Sequence, residues 1–88
     1  MSFSIVLSSQ ARKFLARQDR PIRDRLVNRL RELAASPADP RLSKLLTLGD
    51  GKRSSRVGGI RIIFRLDSSE RRVDVLAIVP RGKAYRGL

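Results

Sequence analysis

The chain opens on an alternation. Phe3, Ile5 and Leu7 are separated by Ser4 and Val6, the two-residue period of a half-buried strand, and a first strand is predicted over 3–8. Ser8 or Ser9 can cap the next segment, where Ala11, Phe14 and Leu15 recur at three- and four-residue spacing; this predicts a short helix ending near Gln18. Pro21 suits the first turn of a second helix. Ile22, Leu26, Val27, Leu30, Leu33 and Ala34 then form an apolar stripe over about three turns. Ser36-Pro37-Ala38-Asp39-Pro40 ends it, because proline donates no helical hydrogen bond and drives the preceding residue out of helical geometry.

The period then returns to two. After Leu42 to Leu48 and the turn signal Gly49-Asp50-Gly51, a strand is predicted from about Lys52 to Val57, and Gly58-Gly59 suits a tight hairpin. The next strand puts Ile60, Ile62, Phe64 and Leu66 on a core face and Arg61, Ile63 and Arg65 on the other, with Arg61 standing in the open. A turn at Asp67 to Glu70 leads to Val73, Val75, Ala77 and Val79, alternating with Asp74, Leu76 and Ile78 in a largely buried strand that Pro80 stops. The basic tail Arg81 to Leu88 comes last. This order predicts an α+β fold: an N-terminal strand, then two antiparallel helices packed on a mainly antiparallel sheet of about four strands. No internal repeat or low-complexity tract interrupts it.

Length holds this to one domain over 1–88, because a chain of 88 residues has no room for a second core. Charge changes the picture more. Twenty Lys and Arg against eight Asp and Glu give a net +12, spread along the chain, so the folded surface is itself basic and attracts polyanions. Nucleic acid, an acidic protein and an anionic membrane are all compatible with that charge alone. Cys and His are absent, which excludes disulfide frameworks, thiol catalysis and the usual zinc sites, and removes the usual general base. No metal or cofactor is expected. With no apolar run long enough for a membrane span and no secretory pattern in Met1 to Gln10, a cytoplasmic protein with no membrane partner is expected.

The segment Arg56-Val57-Gly58-Gly59-Ile60-Arg61-Ile62-Ile63-Phe64 is followed after one strand by Arg81-Gly82-Lys83-Ala84-Tyr85 and preceded by the Pro37 to Leu46 link. In order and spacing this resembles the RelE/ParE toxin superfamily over nearly the whole chain. The resemblance implies the RelE-like microbial RNase fold and a toxin of a type II toxin-antitoxin system. In the RNA-cleaving branch it implies a ribosome-dependent endoribonuclease acting on mRNA in the decoding site, with ribosome, mRNA and a cognate antitoxin bearing an acidic segment as partners. It carries the catalytic positions onto Lys52, Arg61, Arg81 and Tyr85, with Arg53, Arg56, Lys83 and Arg86 as further phosphate-binding residues. Ser54 stands where a second lysine often occurs, and Pro80 where many relatives have histidine or lysine. A ParE-like gyrase inhibitor without chemistry, or a non-catalytic RNA-binding module, are the alternatives.

The residue types fit that chemistry. Attack by a ribose 2'-hydroxyl needs a base, positive charge on the phosphorane, and an acid or charge for the leaving 5'-oxygen. Arginine stays protonated, so Arg61 and Arg81 are expected as phosphate clamps. A lysine serves as base where neighbouring cations and partial burial lower its pKa, and Lys52 takes that role. Tyr85 offers a ring for stacking on an unpaired base and a hydroxyl for hydrogen bonding. Arg12, Lys13, Arg17, Arg20, Arg23, Arg25, Arg29 and Arg31 are read mainly as the polar faces of the two helices.

Overall fold

A computed structural model describes residues 2–47 and 50–80. Strand β1 (Ser4–Leu7) runs into helix α1 (Ser9–Arg17), and helix α2 (Arg20–Ala35) begins within a few residues of its end. Then come β2 (Lys44–Leu45), β3 (Arg53–Val57), β4 (Ile60–Asp67) and β5 (Arg72–Pro80). Ser8 is the N-cap of α1: its hydroxyl accepts from the Ala11 N–H and donates to the Leu76 carbonyl, so one side chain starts the helix and ties it to the sheet. Pro21 sits in the first turn of α2 as its fixed φ favours.

The sheet order is β1-β5-β4-β3-β2. β1 lies parallel to β5, and every other neighbouring pair is antiparallel. Among the described residues the sheet therefore has five strands, against the expected four or so. The additional one, β2, is two residues long and comes from the Leu42 to Leu48 segment, which shows no alternation by which to recognise it. Ala11 of α1 and Leu26, Leu30 and Leu33 of α2 pack on Val57, Ile62, Phe64, Val73, Val75 and Ile78. All ten are buried, and this helix-facing layer is the core.

Two sequence expectations fail in the central strands. Val73, Val75, Ala77 and Val79 do not share a face. Phe64 pairs with Val75 but Ile63 pairs with Ala77, so Leu76 is an extra residue, a β-bulge that reverses the phase. Val73 and Val75 face the helices before it and Ile78 after it, while Ala77 lies on the opposite face. Nor do the core and basic faces of β4 separate cleanly. Ile63, on the same side as Arg61, is fully buried in the cross-strand row Ser54–Ile63–Ala77, and Arg61 is half-buried instead of open.

β1 reaches only as far as Val75, so among the described residues the upper part of β5 has no neighbouring strand on that side. Gln10 supplies a substitute. Its side-chain amide donates to the Ile78 carbonyl and its carbonyl oxygen accepts from the Ile78 N–H, both at 2.8 Å, so one amide reproduces the two bonds of a strand partner.

Candidate functional site: a basic cleft beside the β3–β4 hairpin

The hairpin fixes the site's centre. Gly58 has φ +56, a left-handed conformation at the first turn position that glycine adopts without penalty, and a Cβ there would lie 2.9 Å from the Arg25 guanidinium. With Val57 and Ile60 closing this two-residue turn, Arg56 and Arg61 form the next pair. They occupy a non-hydrogen-bonded position, where facing side chains come closest, about 4.5 Å between Cα atoms. Two arginines directly opposite repel, costing several tenths of a kcal/mol relative to a neutral pair. Neither has an ion-pair partner among the described residues.

Because β2 pairs only with Arg53 and Ser54, no described strand covers the outer edge of β3 from Ser55 onward. Arg29 of α2 fills part of the gap: Nη1 donates to the Ser55 hydroxyl at 2.9 Å and the Arg56 carbonyl at 2.7 Å, while Nε pairs with Glu32 at 3.2 Å. Beyond it lies a cleft of about 190 Å³. Ser54, Arg56 and Arg61 line it from the sheet, Arg29 from the helix, and Pro40, Arg41, Leu42, Ser43 and Lys44 from the link. Five of these nine residues are cationic and none is acidic, so the cleft is a concentrated positive field.

Of the sequence-derived residues, Arg56 and Arg61 meet in this cleft. Lys52 precedes β3 and is buried, at 9% exposure, and it does not line the cleft. Arg56 lies four positions further along, a span of about 13 Å in an extended chain. Arg53 holds the link in place through Nε to the Ser43 hydroxyl at 3.0 Å, and that hydroxyl donates to the Pro37 carbonyl at 2.7 Å. Arg81, Lys83, Tyr85 and Arg86 lie outside the described residues.

Sequence reasoning missed Arg41 and Lys44, and treated Arg29 as solvent-facing. A signal for Arg29 was present: 22, 26, 29 and 33 are separated by four-, three- and four-residue steps, which place this arginine on the apolar stripe. No local pattern marks Arg41 or Lys44, since it is the path of the link that brings them to the cleft.

The family model described as the ParE toxin of the type II toxin-antitoxin system, parDE, matches residues 5–85. The chain belongs to this toxin family, within the RelE/ParE superfamily. No curated protein matches the sequence. Among solved structures, this toxin is similar to the RelBE2 toxin-antitoxin complex of Mycobacterium tuberculosis, with a TM-score of 0.79 at 24% identity over 92% of this chain and 100% of that one. The archaeal RelE-RelB complex from Pyrococcus horikoshii OT3 gives 0.77 at 23% identity, covering 96% and 100%. A YoeB/ParE toxin from Agrobacterium tumefaciens gives 0.74 at 19% identity, covering 90% and 99%. At these identities the structures establish the fold, two helices on a mostly antiparallel five-stranded sheet, and the family match establishes a type II toxin. Among the described residues no helix is long and apolar enough to cross a membrane.

Proposed function

We propose that this toxin is a ribosome-dependent mRNA endoribonuclease, restrained by an antitoxin whose acidic segment covers the basic surface. The observation that carries the reading is the Arg56–Arg61 pair. Two like charges set opposite each other in a cleft without a carboxylate are unfavourable in the free protein and become favourable around a phosphate. In the proposed reaction the ribose 2'-oxygen attacks the adjacent phosphorus as its proton passes to a base. The bond to the 5'-oxygen breaks and that oxygen takes up a proton from the protonated base or from water, leaving a 2',3'-cyclic phosphate and a 5'-hydroxyl. Arg61, assisted by Arg56, holds the phosphoryl oxygens as charge develops on them.

Pro80, the last described residue, pairs with Ile60 next to Arg61, and Arg81 and Tyr85, which follow it in sequence, are the other members of the proposed site. Lys52 is proposed as the base and Lys83, Arg86 and Arg53 as further phosphate contacts. Lys52 is buried outside the cleft and Arg53 is bonded to Ser43, so in this reading both side chains leave their positions in the free toxin to reach the RNA. A site without imidazole acts weakly on free RNA, and the ribosome presents the strand in a reactive shape.

A second reading, inhibition of DNA gyrase without chemistry, is favoured by two specific observations. The matching family is described by ParE, and Ser54 occupies a cleft position where a second lysine often stands in the nuclease branch. Primer extension on a translated mRNA in a bacterial cell-free system, run beside a gyrase supercoiling assay, separates the two. Translation-dependent cuts that fall about 100-fold or more with Arg61→Ala are expected, the loss typical of removing one group that stabilises a transition-state charge. Intact mRNA together with inhibited supercoiling would establish the gyrase reading instead.

A further inference from the structure

The link between α2 and β2 is held by hydrogen bonds of its own. The Asp39 backbone carbonyl accepts from the N–H groups of Leu42 and Ser43, at 2.9 and 3.0 Å, while Ser43 is fastened to Pro37 and Arg53. On this loop stands Arg41, its side chain 88% exposed. Asp39 grips one edge of the guanidinium, Oδ1 accepting from Nε at 3.3 Å and Oδ2 from Nη2 at 2.9 Å, and Oδ1 also takes the Arg41 backbone N–H at 2.9 Å. The Arg41 hydrogen bonds hold the Asp39 carboxyl below its ordinary pKa, so the grip is ionised at neutral pH. That leaves the Nη1 edge of the guanidinium unengaged.

The Asp39 bonds restrict where an otherwise exposed arginine can point. Fixing one in a cleft lowers the rotamer entropy lost when a ligand binds, and its planar fork matches phosphate oxygens. Arg41 lines the same cleft as Arg56 and Arg61, and no acidic residue is among those that line it.

We propose that Arg41, aimed by Asp39, binds a second phosphate of the RNA strand, adjacent to the one that Arg56 and Arg61 hold. It is a substrate-positioning residue: it fixes the strand's path through the cleft and touches no reacting atom. The inference rests on the nuclease reading for the identity of its ligand, single-stranded RNA.

The test is fluorescence anisotropy of a short single-stranded RNA, 2'-O-methylated so that it is not cleaved, titrated with the folded toxin across a salt series. Arg41→Ala is expected to weaken binding about tenfold and to reduce the slope of log K against log salt by about 0.7, one single-strand phosphate contact. Arg17→Ala, which removes an exposed arginine outside the cleft, should leave that slope nearly unchanged. Asp39→Asn discriminates further. It raises the net charge by one, so a purely electrostatic surface binds RNA more tightly, whereas loss of aim makes binding weaker, the expected result. If Arg41→Ala behaves like Arg17→Ala, or Asp39→Asn tightens binding, the proposal is overturned. A toxin that cuts translated mRNA but shows no Arg41 effect loses only this inference. One that binds RNA through Arg41 but cuts nothing keeps the phosphate site and loses the nuclease reading.

Discussion

Single residues in this toxin do several jobs at once. Arg29 joins α2 to β3 and satisfies the hydroxyl of Ser55, which is fully buried. Arg29→Ala is expected to destabilise by about 1–3 kcal/mol, the usual cost of leaving such a group unpaired, measured by urea denaturation. Arg29→Lys should not rescue it, since a point-like ammonium lacks the planar fork that spans Ser55, Arg56 and Glu32.

At the far end of the β4–β5 hairpin, Asp67 accepts from the Glu70 N–H and the Ser69 hydroxyl, and Arg72 lies at 3.2 Å. These bonds, the Glu70 N–H foremost, hold its carboxyl below the ordinary value of 3.8. A carboxyl depressed in the folded state favours folding above its unfolded pKa, and that contribution disappears as pH falls through the folded value. Asp67→Asn should therefore lower Tm at neutral pH and narrow the gap from wild type below about pH 4, as thermal melts across pH would record.

Among the elements, the two helices were legible because local chemistry defines them. Ser8 caps α1, Pro21 opens α2, and the Leu26–Leu30–Leu33 stripe faces the sheet as its spacing requires. The hairpin was equally legible from Gly58-Gly59. The bulge at Leu76 was not, because an extra residue in one strand is defined by its partner's register and leaves no mark in its own sequence. For the same reason β2 escaped notice. The amide of Gln10 shows how an element can be extended by a side chain from elsewhere. Gln10→Ala should cost about 1–2 kcal/mol by exposing an unpaired N–H and carbonyl on β5. Hydrogen exchange at the Ile78 amide should quicken in that variant more than at the Ile62 amide across the sheet.

At the scale of the whole molecule, charge dominates. Described axes of 34, 28 and 25 Å compare with a screening length of about 30 Å at 0.01 M salt and about 8 Å at 0.15 M. At low salt nearly every pair of the excess cations interacts, and at physiological salt only neighbours do. The net +12 therefore opposes compaction most when salt is scarce, and Tm should rise between those two concentrations. A Tm that falls with salt would mean that ion pairs, such as the mostly exposed ones seen among the described residues, outweigh the self-repulsion.

The sequence by itself determined the order and kind of the main elements, the α+β class, the basic surface and the hairpin carrying Arg56 and Arg61. Each of these arises from residues close together along the chain, through periodicity, capping and turn chemistry. Tertiary structure alone decided that β1 lies parallel against β5, that Leu76 bulges, that Arg61 is half-buried and Lys52 enclosed. It also decided that Arg29 and Arg41, far apart in sequence, share a cleft with the hairpin. Those outcomes depend on which distant segments share a packed interior, and a local pattern cannot encode a neighbour brought in by the path of the chain.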